Sequence, residues 1–299
     1  MKAQSLSVVV PNQLCINNCR FCVSHMAEQP FKNQIDDNLP FFDLYLKDYL
    51  RRLEFAQQNG CNTVMLTGNA EPQQNRKFLT YFGLFLQLMR NPFSWIEMQT
   101  TGVLLDQNYL RFLRNHVGVN LISLSLSSFD DEENADIIRI PQSQRFSVEE
   151  LCKEILRYDF SLRLSLNLSC AFERYTPEEL FTACKGLGAN QVTLRVLYSD
   201  GDTTEQAKWV NTHKASKKYI DELVACIQKC GTFLGYLPFG AMKYSLNGMS
   251  VVLDDDCMGK QVSNVDHQKT QELDTYKYLI LQPNCKLYSQ WDDPASLIF

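Results

Sequence analysis

The chain has 299 residues, 45% of them hydrophobic and 21% charged, and a formal net charge of −5 at pH 7. These ordinary globular values exclude disorder, collagen and coiled coil as descriptions of the whole chain. With no net basic charge, non-specific nucleic-acid binding is disfavoured, and only a local basic patch would serve it.

The chain opens on MKAQSLSVVV, which lacks the long apolar core of a secretory signal, so a cytoplasmic location is expected. Within that opening, Ser5–Val10 is a β-branched run that ends at Pro11. Residues 41–58 carry a helical stripe of Leu44, Leu46, Tyr49, Leu50, Leu53 and Phe55, stopped by Gly60. A buried-type strand follows over 62–67, then Gly68. The next helix spans 76–90, before Pro92. Its apolar run is broken by Thr80, Gly83 and Gln87, short of the about 18 residues that cross a bilayer, so no membrane segment is expected. Strand 95–100 precedes Gly102, Asp106 can cap a helix to about residue 115, and 121–126 is again strongly apolar.

Ser147 with Glu150, and Thr176 with Glu179, read as capping boxes opening two further helices, the second with Pro177 at its first position. Between them, 161–169 alternates Leu162, Leu164, Leu166 and Leu168 against Ser161, Arg163, Ser165 and Asn167, which is a strand by its period of two. Strand 191–198 and helix 216–229 complete six β-α units before residue 230. Such alternation predicts a parallel sheet with crossover helices. Eight units would close a full barrel, so six point to an open, partial (β/α)6 barrel or a doubly wound sheet. After Gly231 the pattern changes to strands over 243–253 and 278–281, with a hairpin turn at Asn247-Gly248. The expected division is a barrel over 1–230 and a small β-rich extension over 231–299 packed on it.

Of the 11 cysteines, Cys15, Cys19 and Cys22 form C-x3-C-x2-C in the loop after the first strand. An odd count in a reducing compartment fits a disulfide framework poorly. One short segment can wrap three thiolates around a metal centre, yet three are too few for a closed zinc site or for a [4Fe–4S] cluster with four cysteine ligands. Either a fourth ligand comes from elsewhere (Cys61, Cys257 or His25 for zinc) or one iron stays open.

The stretch CINNCRFC, after a strand and with an aromatic residue before its last cysteine, resembles the radical S-adenosylmethionine (radical SAM) superfamily. The resemblance implies a partial (β/α)6 TIM-like barrel. It also implies a [4Fe–4S] cluster held by the three cysteines, with S-adenosylmethionine on the fourth iron, cleaved reductively to a 5′-deoxyadenosyl radical. TGNAEP after the second strand sits where the family has a Gly-Gly-Glu-Pro-like motif, so Gly68, Asn69, Ala70 and Glu71 would meet the cofactor's amino group; here the second glycine is replaced. By position, Ser125 and Ser127 of SLSLSSFD, and Arg163 and Asn167 of the next strand, would reach ribose or carboxylate. Arg195 in TLRVL reads equally as an anion clamp or as an ion-pair partner of an internal carboxylate such as Glu97.

An enzyme of this kind needs an electron donor, flavodoxin- or ferredoxin-like, and a substrate, for which a small molecule or a peptide is favoured. The alternatives are a peptide- or RNA-modifying radical enzyme acting with a partner, and a non-catalytic zinc or iron–sulfur protein. The remaining cysteines read as packing thiols, with Cys257 and Cys285 open and no auxiliary cluster expected. Asp254, Asp255 and Asp256 form a solvated turn or a cation site. Trp209 belongs to a loop over the barrel mouth or anchors packing.

Overall fold

The computed structural model describes residues 1–26, 31, 45–237, 241–254, 265–266 and 275–299. Six strands alternate with helices: β1 (Lys2–Val9), β2 (Thr63–Thr67), β3 (Trp95–Thr100), β4 (Leu121–Leu126), β5 (Ser161–Leu168) and β6 (Gln191–Val196). They lie side by side in sequence order and every pair between them is parallel. Period-two alternation decides the two faces. Leu124, Leu164 and Val192 are buried among the helices, while their chain neighbours Ser123, Arg163 and Gln191 share the inner, concave face in register.

The outer layer is α1 (Leu46–Gln58), α2 (Arg76–Leu88), α3 (Gln107–Phe112), α4 (Asp131–Ile138), α5 (Val148–Arg157), α6 (Pro177–Gly186), α7 (Glu205–His213) and α8 (Lys217–Cys230). The expected helix beginning at 41 lies partly outside the described residues. The helix after Asp106 ends in a π turn at Leu113–Val117, closed by Gly118 in the left-handed region at φ 83°. That turn packs on α2 at Gly83, where a Cβ would overlap the His116 carbonyl oxygen. A glycine inside an apolar helix thus marks a close approach of backbone.

The Thr176–Glu179 capping box is made. The one expected at Ser147 is not: Ser147 makes no side-chain cap, and the Val148 N–H donates to Asp131 at 2.9 Å instead. Glu150 is drawn away to Lys153 at 2.8 Å. Residues 205–213, which hold the Trp209 expected in a loop or as a packing anchor, are the helix α7, capped by Thr204.

The β-rich segment after 231 is built into the same sheet at both edges. β7 (Thr232–Tyr236), β8 (Met242–Leu246) and β9 (Met249–Asp254) form an antiparallel meander, with Asn247 and Gly248 at φ 52° and 75° in its turn. β9 lies parallel to β6. On the far edge β11 (Thr275–Leu281) lies parallel to β1, joined by the short β10 (Val265–Asp266) and β12 (Leu287–Tyr288). Leu279 and Leu281 complete the core beside Leu6 and Val8. Among the described residues β10 and β7 end the sheet without pairing to each other, so the sheet stays open. No described helix is long and apolar enough to cross a membrane.

Candidate functional site

The carboxyl ends of parallel strands are where ligands collect in α/β sheets, and the cysteine loop lies across them. Its anchors come from the neighbouring strand ends. Val10 N–H donates to Thr67 O at 2.7 Å, and Asn75, which caps α2, donates to Pro11 O at 2.6 Å. Gln74 accepts from Ile16 N–H at 2.8 Å and donates to Leu14 O at 3.0 Å. Arg20 N–H reaches Ile137 O at 3.0 Å, and Cys22 N–H turns back on Cys19 O at 3.2 Å. A loop with little secondary structure of its own is thereby fixed on both sides of its cysteines.

Beneath it is a cavity of about 280 Å³ lined by Cys15, Cys19, Cys22, Gly68, Asn69, Ala70, Glu71, Ser125, Asn167 and Arg195. Ten of the twelve residues expected at the site thus meet in one space. Gly68 has its own structural reason: a Cβ there would come to 3.0 Å from Val10 O, where the loop leaves β1.

Two expected residues do not line the cavity. Ser127 is fully buried; its backbone N–H donates to Asn134 at 2.8 Å, and its hydroxyl accepts from Asn167 at 3.3 Å, so it orients a residue that does line the cavity. Arg163 lies lower on the inner face. Its guanidinium pairs with Glu97 at 2.6 Å and donates twice to Gln191, at 2.6 and 3.0 Å. The ion pair with Glu97 considered for Arg195 therefore belongs to Arg163, and Arg195 donates to Ser165 at 2.7 Å.

The structure adds Asn17, Gln99, Thr101 and Tyr198 to the lining. Thr101 could have been anticipated, since MQTTG closes a strand just as TGNAEP does; Asn17 was hidden between the cysteines.

Acidic groups gather at this cavity. Burial pushes the Cys15, Cys19 and Cys22 thiols up, Cys19 furthest, where the neighbouring Cys22 and Cys15 add to the effect. Backbone N–H groups of Asn17 and Glu71 on Cys15 act the other way. Burial also raises the Glu71 carboxyl, against donors from Thr100 and Thr101. Glu71 Oε2 accepts from the Thr101 N–H at 3.0 Å and its hydroxyl at 2.8 Å, while Glu71 Oε1, Asn69 Oδ1 and Asn17 Oδ1 are buried without a partner. Orphaned buried acceptors are costly. The orphaned acceptors fit a group that brings hydrogen-bond donors, as an ammonium does, and the thiols fit one that brings a metal's positive charge, as the irons of a cluster do. Among the described residues no three His, Cys, Asp or Glu side chains gather closely enough to enclose a single metal ion.

Of the other expectations, Cys257, Asp255 and Asp256 lie outside the described residues, as does the side chain of Asp254. Cys61 is buried ahead of β2, at the sheet end opposite the cavity. Cys285 is a packing thiol: it is buried, its pKa is pushed up to about 12 by burial, and it faces Tyr45 O at 3.8 Å. Trp209 stacks on His213 at 4.6 Å and meets Phe21 of the cysteine loop at 6.2 Å, an anchor on α7.

Comparison with known proteins agrees with this geometry. The sequence profile of the radical SAM superfamily matches residues 9–180, more than half the chain. No curated protein matches. Among solved structures, anSMEcpe with bound AdoMet and a Cp18Cys peptide is 14% identical, with a TM-score of 0.51 over 77% of this chain and 59% of that one. Coproporphyrinogen III oxidase (HemN) from Escherichia coli, a radical SAM enzyme, is 17% identical, with a TM-score of 0.50 over 78% of this chain and 54% of its own. At such identities the likeness is one of fold, and the chain spans little more than half the length of either structure. The profile match carries further: the chain belongs to the radical SAM superfamily, whose members are enzymes that use a [4Fe–4S] cluster and S-adenosylmethionine.

Proposed function

We propose that Cys15, Cys19 and Cys22 each hold one iron of the cluster, that the fourth iron is left for S-adenosylmethionine, and that the enzyme abstracts hydrogen from a small molecule or a peptide. When bound, these cofactors supply the electron and the 5′-deoxyadenosyl radical for that abstraction.

The chain's own part is placement and enclosure. The loop anchors at Pro11, Leu14, Ile16 and Arg20 hold the three thiols toward the strand ends. Glu71, fixed through one oxygen, offers the other to the cofactor's ammonium group, and the Gly68 turn lets backbone come close. Ser125 and Asn167 face the cavity from neighbouring strands, joined at 3.1 Å, in the place for ribose. Arg195 lies on the same inner face for a carboxylate. A concave sheet that keeps water and stray hydrogen donors away suits radical chemistry. The electron donor is of flavodoxin or ferredoxin type, and the free thiols suit a cytoplasmic setting.

The observation that carries the reading is three cysteines and a half-satisfied buried glutamate converging on one cavity. Metal analysis after anaerobic reconstitution tests it. About four irons per chain are expected for a cubane with one non-cysteine site, and Cys19→Ala should lose them. Colourless protein holding stoichiometric zinc contradicts the reading.

A further inference from the structure

Thr101 lies just past β3, outside the cysteine motif and the TGNAEP turn, yet it joins them. Its hydroxyl accepts from Asn17 Nδ2 at 2.8 Å and donates to Glu71 Oε2 at 2.8 Å, the full use of one proton and one lone pair. Its backbone N–H donates to the same oxygen at 3.0 Å. Two donors on Oε2 fix the carboxylate plane and leave buried Oε1 as the oxygen presented to a ligand. Asn17 lies between Cys15 and Cys19, and the Asn17 and Glu71 backbone N–H groups both reach Cys15. Cysteine loop, Thr101 and Glu71 thus close a ring of contacts around the cavity. Thr100 also reaches Glu71, but only Thr101 links that carboxylate to Asn17 and so to the cysteines.

We propose that Thr101 is a positioning residue for S-adenosylmethionine: its hydroxyl sets the Glu71 carboxylate and locks it to the cluster loop, so that ammonium acceptor and open iron keep a fixed separation. The proposal rests on the function proposed above. A chelating ligand that grips an iron and a carboxylate together is sensitive to that separation, because a misplaced second contact forfeits the advantage of having both.

The test uses the full chain with its cluster reconstituted and reduced, titrated with S-adenosylmethionine while the electron paramagnetic resonance spectrum of the cluster is followed. Thr101→Val keeps shape and N–H but loses the hydroxyl; Thr101→Ser restores it. Losing a hydrogen bond to a charged group predicts affinity weaker by about tenfold or more in Thr101→Val at unchanged iron content, with Thr101→Ser within about threefold of the unaltered protein. Thr101→Val affinity within about threefold of the unaltered protein, or Thr101→Ser as weak as Thr101→Val, overturns the proposal. Should Thr101→Val lose iron while Thr101→Ser keeps it, the hydroxyl is shown holding the loop itself. Asn17→Ala then reads the link alone, where unchanged affinity overturns the proposal and a loss supports it. An unaltered protein without iron, or without spectral response to S-adenosylmethionine, contradicts the functional reading instead.

Discussion

Arg163 shows how one residue's place along a strand decides its work. Arg163, Ser165 and Asn167 share the inner face, as period two requires, but each step of two residues moves about 7 Å along the strand. Asn167 therefore lines the cavity, while Arg163 meets Glu97, whose side chain is only 2% exposed. Removing one partner of a buried ion pair leaves the other uncompensated, at about 3–5 kcal/mol, whereas removing both costs little. Arg163→Met should lower the unfolding free energy by about that amount in urea denaturation, and adding Glu97→Gln should recover most of it. S-adenosylmethionine affinity should hold. A variant of unchanged stability and weakened cofactor binding would instead place Arg163 at the cofactor. The sequence showed which residues share a face; it could not show the depth at which the cavity stops, because that depends on the loop laid over the strand ends.

Among the elements, the two capping boxes give a controlled comparison. Thr176 and Glu179 exchange their bonds as the motif requires, at 3.3 Å from the Glu179 N–H and 2.9 Å from the Thr176 N–H. At Ser147 the same letters meet a competitor, since Asp131 of α4 reaches the first turn of α5. Thr176→Ala should cost about 1 kcal/mol and Ser147→Ala no more than about 0.5 kcal/mol, measured by denaturant midpoints at constant slope. Equal losses would show that Ser147 caps in solution. Strands with clean alternation and helices with a broad apolar stripe were legible locally. The helix α7 was not, because its buried positions are only Ala207 and Val210 and, Trp209 apart, its other residues are polar. The π turn after α3 was equally silent, since its cause is the contact with Gly83 of another helix.

At the scale of the whole molecule, six β-α units and the open parallel sheet followed from alternation alone. The two parallel additions at its edges did not. β11 pairs with β1 across most of the chain, Leu6 against Leu279, and no local pattern specifies so distant a partner. They widen the sheet wall, β9 beside β6 and β11 beside β1, while the residues that line the cavity all fall within 15–198. Within that wall the cysteine motif was legible because three residues in one loop carry it. The Asn17–Thr101–Glu71 ring was not, because it joins three segments that only folding brings together. The central claim is that this wall and loop hold a cluster competent to cleave S-adenosylmethionine. Chromatographic detection of 5′-deoxyadenosine tests it most directly, after anaerobic incubation of the reconstituted protein with S-adenosylmethionine and a strong reductant. Release that depends on reductant and vanishes in Cys19→Ala is the predicted result; iron-loaded protein that yields no 5′-deoxyadenosine above the Cys19→Ala background would contradict it.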